Sequence, residues 1–172
     1  MKTAKEIAIL SVFTALLIGG QFVLSAISGV EVVTVLAVSF FYCFGVVRGA
    51  IVATAFSLIR CFLFGFFPNV IILYLIYYNL LAVVFGLIGV AFDRKITVKK
   101  MVVIVVVAVL MTALFTLLDN LVTPLFYGFT KTAKKAYFIA SLTTMLPQII
   151  CATATVSLLF YPLYRIYKSI KI

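Results

Sequence analysis

Hydrophobic side chains along this chain fall into six long runs, separated by short segments that hold most of its charged residues, glycines and prolines. The runs cover about residues 7–27, 32–47, 50–67, 70–92, 101–122 and 137–163. A helix needs about 20 mainly apolar residues to cross a bilayer, and its backbone groups must bond within their own segment. The pattern therefore predicts an all-α integral membrane protein, with a compact bundle of six transmembrane helices in a single domain over residues 1–172.

The boundary between the second and third runs depends on one polar position. Arg48 is the only charge nearby, and Gly45 and Gly49 flank it. Glycines beside a charge favour a turn, so we expect two helices of about 17 residues joined by a very short turn around Val47, Arg48 and Gly49.

The composition and the charge agree with a membrane bundle. Hydrophobic residues make up 66% of the chain, and the mean hydropathy is +1.35. Six crossings place both termini on one side, and the excess of Lys and Arg there predicts that this side is cytoplasmic. That side would hold Lys2, Lys5, Arg48, Arg94, Lys95, Lys99, Lys100, Arg165, Lys168 and Lys171, against Lys131, Lys134 and Lys135 on the other. The net charge of +10 is then explained by topology and lipid headgroups, and no soluble basic surface remains for nucleic acid.

The sequence lacks the residues that several kinds of chemistry require. The chain has no His, so it lacks the commonest metal ligand and the usual general base. Its cysteines, Cys43, Cys61 and Cys151, lie inside separate runs and form no CxxC pair. There is no G-x-x-x-x-G-K-[ST] phosphate loop for ATP hydrolysis. We therefore expect no metal site, no cofactor and no enzymatic activity.

The few polar residues within the runs carry the functional signal. Polar groups in a membrane core are costly and are usually functional. On the predicted topology these residues share the outer half of the bundle, which predicts a ligand site there: Glu31, Arg60, Tyr74, Tyr78, Asn79, Asp119, Asn120 and Gln148. Tyr77 lies near them, and such aromatic content favours a flat, polar-edged small molecule such as a B-group vitamin or its precursor.

Each of these residues also has an ordinary structural interpretation. The tyrosines could anchor the chain at the membrane interface, and Glu31 could complement a helix dipole. Arg60 requires a partner such as Asp119 or Glu31, because a lone buried charge is expensive. The segment of residues 123–136, with its three lysines, is expected to be a long outer loop, acting either as a lid or as a plain tether.

The first run carries small residues at helical spacing. Ser11 and Ala15 are four residues apart, Gly19 follows one turn later, and Ala8 pairs with Ala4. Small residues at this spacing let a second helix approach closely in lipid. They predict either docking of a partner protein or packing inside this bundle.

Over its whole length the chain resembles the substrate-binding S component of an energy-coupling factor (ECF) type vitamin transporter. The resemblance rests on size, on six spans with both termini inside, and on three local patterns: Lys5-Glu6-Ile7-Ala8 through Ser11-Val12-Phe13-Thr14-Ala15-Leu16, Phe44-Gly45-Val46-Val47-Arg48-Gly49-Ala50, and Leu146-Pro147-Gln148. Nickel and cobalt members of the family begin with Met-His, whereas this chain begins Met1-Lys2-Thr3, which disfavours a metal substrate.

The resemblance implies a bacterial plasma-membrane protein that binds one vitamin or precursor at its outer face. It implies partners, namely a membrane coupling subunit and two cytoplasmic ATPases, and a toppling motion that carries the ligand inward. The family's Ala-xxx-Ala docking motif maps onto Ser11 and Ala15, with Ser replacing the first Ala. Family ligand sites use the loop between the first two helices, the outer part of the fourth, and the fifth and sixth. The alternatives are a small autonomous secondary carrier and a non-transport membrane scaffold subunit.

Overall fold

The computed structural model describes residues 4–26 and 32–170, and over these residues the chain forms six helices and no strand. The helices are α1 (Ala4–Leu24), α2 (Val33–Phe44), α3 (Val46–Phe64), α4 (Pro68–Ala91), α5 (Val98–Phe126) and α6 (Lys131–Ser169). All except α2 are long and apolar enough to cross a bilayer. The predicted all-helical class is confirmed, and the apolar helices are typical of a multi-pass membrane protein.

The second helix is shorter than the sequence predicts, and it is central. Gly45 ends it with a φ of 85°, a conformation that L side chains rarely adopt, and α3 begins at the next residue. The predicted turn at Val47, Arg48 and Gly49 is therefore wrong, because these residues belong to the start of α3. The 12 residues of α2 extend about 18 Å. They contact all five other helices, and all but Leu36 are buried.

The predicted outer loop over residues 123–136 is also wrong. Helix α5 continues to Phe126 and α6 begins at Lys131, so residues 127–130 alone connect them. The hydroxyl of Thr130 caps α6 by accepting a 3.3 Å hydrogen bond from the amide of Ala133. None of residues 125–150 is buried, so the tip of this α5–α6 hairpin packs less closely than the rest of the bundle.

The two ends of the bundle differ in chemistry. At one end the first turn of α1 meets the start of α3 through a 2.7 Å ion pair between Glu6 and Arg48. The end of α6 meets the α4–α5 connection there, where the Tyr164 hydroxyl donates to the carbonyl of Arg94 at 2.8 Å. We call this the basic end, and the opposite end, which holds the α5–α6 connection, the hairpin end. Both α1's start and α6's end lie at the basic end.

Two glycines of α4 allow close packing against the junction of α2 and α3. A Cβ atom on Gly86 would lie 2.6 Å from Cγ2 of Val46, and one on Gly89 would overlap the carbonyl oxygen of Tyr42. Gly86 and Gly89 therefore set how closely α4 approaches the core of the bundle. This contact fixes the position of the polar residues that α4 carries towards the hairpin end.

Candidate functional site

A polar network centred on Asp119 joins three helices at the hairpin end. The carboxylate accepts hydrogen bonds from Thr123 at 2.7 Å and from the hydroxyl of Tyr137 at 2.6 Å. Thr123 in turn accepts a 3.1 Å bond from the amide of Asn69, whose oxygen accepts from Tyr127 at 3.3 Å. Asn69 and Thr123 are both buried. The network links the start of α4, the end of α5 and the start of α6.

Asn120 contributes an unpaired acceptor beside this network. Its amide nitrogen donates to the hydroxyl of Ser141 at 2.7 Å. Its Oδ1 atom is buried and has no hydrogen-bond partner. An unpaired buried acceptor costs about 1–3 kcal/mol, so a donor from a bound molecule at this position would be favourable. Among the predicted ligand residues that the structure describes, Asn120 is the one with a buried, unpaired acceptor.

A second polar group forms around Arg60, on α3. Its Nε donates to Oε1 of Gln21 at 3.0 Å, and the Nε2 of Gln21 donates to the hydroxyl of Tyr74 at 2.8 Å. The guanidinium also lies 4.0 Å from the centroid of the Tyr74 ring and 4.7 Å from that of Phe64. The faces of two aromatic rings and the amide of Gln21 therefore surround this buried cation.

The expected ion pair between Arg60 and Asp119 is absent from the described part of the chain. Asp119 bonds to hydroxyl groups instead, and Arg60 bonds to an amide. Glu31, the other predicted partner and a predicted ligand residue, lies outside the described residues.

An aromatic cluster lies between the two polar groups. The ring of Phe115, one helical turn before Asp119 on α5, contacts Tyr74 at 5.6 Å and Tyr77 at 4.8 Å between centroids. Tyr78 packs against Tyr74 at 5.3 Å and against Phe56 at 4.8 Å. These tyrosines pack inside the bundle with one another and with phenylalanines. Tyr77 and Tyr78 are buried, so they do not belong to an aromatic belt that faces lipid.

Asn79 and Gln148 lie apart from these groups. The Nδ2 atom of Asn79 donates to Thr54 at 3.2 Å and to the carbonyl of Leu75 at 2.9 Å. This residue therefore ties α4 to α3. Gln148 is half-buried on α6, directly after the exposed Pro147. A role for either residue in ligand binding stays a prediction.

The small residues of α1 share one exposed face. Ala8, Ser11, Ala15 and Gly19 are all exposed, whereas the opposite face of the helix is buried through residues such as Leu10, Phe13 and Leu17. A Cβ atom on Gly19 would meet nothing within 4 Å. Packing inside this bundle therefore does not explain the spacing of these residues, and the face is open to another helix.

Sequence reasoning missed three residues of this candidate site, namely Gln21, Thr123 and Tyr137. Asn69 is a polar residue of the outer half on the predicted topology, but it was not among the predicted ligand residues. Gln21 was detectable, because an amide in the second half of an otherwise apolar run is itself a costly feature. The sequence predicts a loop over residues 123–136, which includes Thr123 and borders Tyr137. It therefore gives no indication that helices place these two residues next to Asp119.

Searches among protein-family models, curated proteins and solved structures found no match to this chain. The function must therefore be argued from the chain's own residues.

Proposed function

We propose that this chain is the membrane-embedded S component of an ECF-type vitamin transporter. It binds a water-soluble vitamin or vitamin precursor, a flat heterocycle, at the hairpin end of the bundle. It works with a membrane coupling subunit and two cytoplasmic ATPases that drive uptake. The hairpin end faces outward, and both termini are on the cytoplasmic side of a bacterial plasma membrane.

One observation carries this proposal. Costly polar groups from five helices, represented by Gln21, Arg60, Tyr74, Asp119 and Tyr137, gather at the end opposite to most of the lysines and arginines. Polar groups that gather at one end of an apolar bundle are typical of a solute site. Aromatic faces with a few fixed hydrogen-bonding groups suit a flat heterocycle with polar edges.

The cytoplasmic orientation of the termini is supported by charge. Lys5, Arg48, Arg94, Lys95 and Lys168 all belong to segments that meet at the basic end. An excess of Lys and Arg on one side favours the cytoplasm for that side. The outward orientation of the hairpin end follows from it.

The proposal of a partner subunit is supported by α1. Its face of small residues is exposed along most of the helix, from Ala8 to Gly19. Small side chains at Ala8, Ser11, Ala15 and Gly19 would let a helix of a coupling subunit approach this face closely.

Mass spectrometry of the purified chain tests the proposal. We expect a small heterocyclic molecule to be released on denaturation, in a one-to-one ratio, and to rebind in calorimetric titration. We also expect copurification with a coupling subunit and two ATPases from the native membrane. Solute transport by the chain alone in proteoliposomes, without any ATPase, would contradict the proposal and indicate an autonomous carrier.

A further inference from the structure

A cleft at the basic end is lined by cationic side chains and, among the described residues, by no carboxylate. It has a volume of about 570 Å³ and is lined by Lys95, Ile96, Tyr161, Tyr164, Arg165, Lys168 and Ser169. Lys95, Arg165 and Lys168 are exposed, and none of the three forms an ion pair within the described residues. Because like charges repel each other, gathering them here is favourable when an anion lies between them.

Tyrosines fix the geometry of this cleft. The hydroxyls of Tyr164 and Tyr42 donate to the carbonyls of Arg94 and Lys95, at 2.8 Å and 3.1 Å, and so hold the α4–α5 connection against α6 and α2. The Lys168 ammonium lies 5.7 Å from the centroid of the Tyr164 ring. Arg165 and Lys168 are three residues apart on α6, so they share a face of the helix. The segments that carry these cations are therefore held together by hydrogen bonds.

An apolar groove continues from the same cleft along α5 and α6. It has a volume of about 600 Å³, and its lining residues include Val98, Met101, Val102, Val105 and Val106. Ile96 and Tyr161 line both the cleft and the groove, so the two are continuous. From Val98 to Val106 the groove follows α5 for about 12 Å, which approaches the depth of one leaflet of a bilayer with a core of about 30 Å.

We infer that this cleft and groove bind one anionic phospholipid. The phosphate lies among Lys95, Arg165 and Lys168, and one acyl chain lies in the groove between α5 and α6. Charge complementarity determines the headgroup, and the apolar groove determines that the occupant is a lipid and not a free phosphate. This inference does not depend on the proposed function, because it involves neither the hairpin end nor the exposed face of α1.

Native mass spectrometry in a neutral detergent tests the inference, with phosphatidylglycerol and phosphatidylcholine as probes. The wild-type chain should retain one phosphatidylglycerol at least tenfold more strongly than phosphatidylcholine. The triple variant K95Q/R165Q/K168Q should lose that preference. A matched triple variant at the exposed lysines of the opposite end, K131Q/K134Q/K135Q, should keep it, although the net charge changes equally. Equal loss in both triple variants would overturn the inference, because general charge would then explain binding.

The groove is tested by a separate variant. Val102 is exposed in it, and Val102→Phe fills the space in which the acyl chain lies. We expect this variant to bind phosphatidylglycerol at least fivefold more weakly while its melting temperature stays unchanged. Phosphatidylglycerol binding equal to that of the wild type would show that the headgroup alone is recognised, which contradicts an acyl chain in the groove.

Discussion

The hydroxyl of Tyr137 lies 2.6 Å from Oδ2 of Asp119, and this hydrogen bond joins the start of α6 to the last two turns of α5. The other carboxylate oxygen accepts from Thr123. An ionised carboxylate offers about four acceptor positions, so hydroxyl groups leave about half of them open. Asp119 can therefore hold the hairpin together and bind a ligand donor at the same time.

Removing the charge of Asp119 should weaken ligand binding more than it weakens the fold. Asp119→Asn keeps the shape, but its amide has one acceptor oxygen: this oxygen can accept from Thr123, while the amide NH2 group must donate to the Tyr137 hydroxyl. The neutral hydrogen bonds cost about 1 kcal/mol of stability. We expect ligand affinity to fall at least tenfold in calorimetric titration of the copurifying molecule. Ser169→Ala, which removes an exposed bond to the carbonyl of Ile166 at the basic end, serves as the control and should leave affinity unchanged. Unchanged affinity in Asp119→Asn would remove this carboxylate from the site.

Asn120→Ala should weaken ligand binding while leaving the bundle folded. The substitution removes an acceptor that is unpaired in the absence of ligand, together with one bond to Ser141, so the stability cost stays near 1 kcal/mol. Loss of the acceptor from a bound ligand should lower affinity about tenfold. Thr153→Ala, which removes an exposed hydroxyl bonded only to its own helix, should leave affinity unchanged. Equal effects of the two variants would contradict a ligand contact at Asn120.

Arg60→Lys should be destabilising in spite of the conserved charge. A lysine cannot keep both the bond to Gln21 and the planar contact with the Tyr74 ring. We expect a loss of about 1–2 kcal/mol in the free energy of unfolding. A double-mutant cycle with Gln21→Leu should show coupling between the two sites. Additive effects would mean that the guanidinium does not depend on Gln21.

Alanine substitutions at two glycines should differ in their effect on stability, because one glycine is closely packed and the other is open. Gly89→Ala forces a Cβ atom against the carbonyl oxygen of Tyr42, and overpacking of this kind costs about 1–3 kcal/mol. Gly19→Ala places its Cβ atom in open space, so its melting temperature should equal that of the wild type or exceed it. Thermal unfolding in detergent measures both variants. Similar melting temperatures would show that α4 can move away from α2 without cost.

Ala15→Trp should block assembly and leave ligand binding intact. Ala15 lies in the exposed face of α1, where a bulky ring would prevent close approach of a partner helix. Ala154→Trp makes the same change at an exposed position of α6 and should not affect assembly. Copurification of the coupling subunit with each variant is the measurement. A normal yield of complex with Ala15→Trp would show that partners dock elsewhere.

The sequence predicts which segments are helical better than it predicts where they end. Hydrophobic runs locate all six helices because lipid requires each segment to satisfy its own backbone. Pro124 suggested a loop, but it lies in the last turn of α5 and is buried there. Helix boundaries at such positions depend on tertiary contacts, here the bond between Thr123 and Asn69 of α4.

The sequence predicts the region of the bundle that holds the candidate site, but not which residues form hydrogen bonds with one another there. The cost of burying polar groups predicts Arg60, Asp119 and Asn120 as members of one site, and in the structure all three lie towards the hairpin end. Their partners could not be derived, because contacts such as Asn69 with Thr123 join residues that are far apart in sequence. The break at Gly45 was missed for a related reason. Gly45 and Gly49 both lie in that segment, and the sequence does not show that Gly49 packs within α3 against Phe41 and Ala82 while Gly45 takes the positive φ.

The brevity of α2 has a consequence for how the chain is made. A mainly apolar segment of 12 residues is too short for a translocon to insert by itself, because insertion favours segments of about 20. We expect α2 to enter the membrane together with α3, from which one residue separates it. Since α2 also packs against α6, its surroundings are complete only after α6 has been synthesised. Truncation before α6 should therefore leave a membrane-inserted chain that cellular proteases recognise as unfinished.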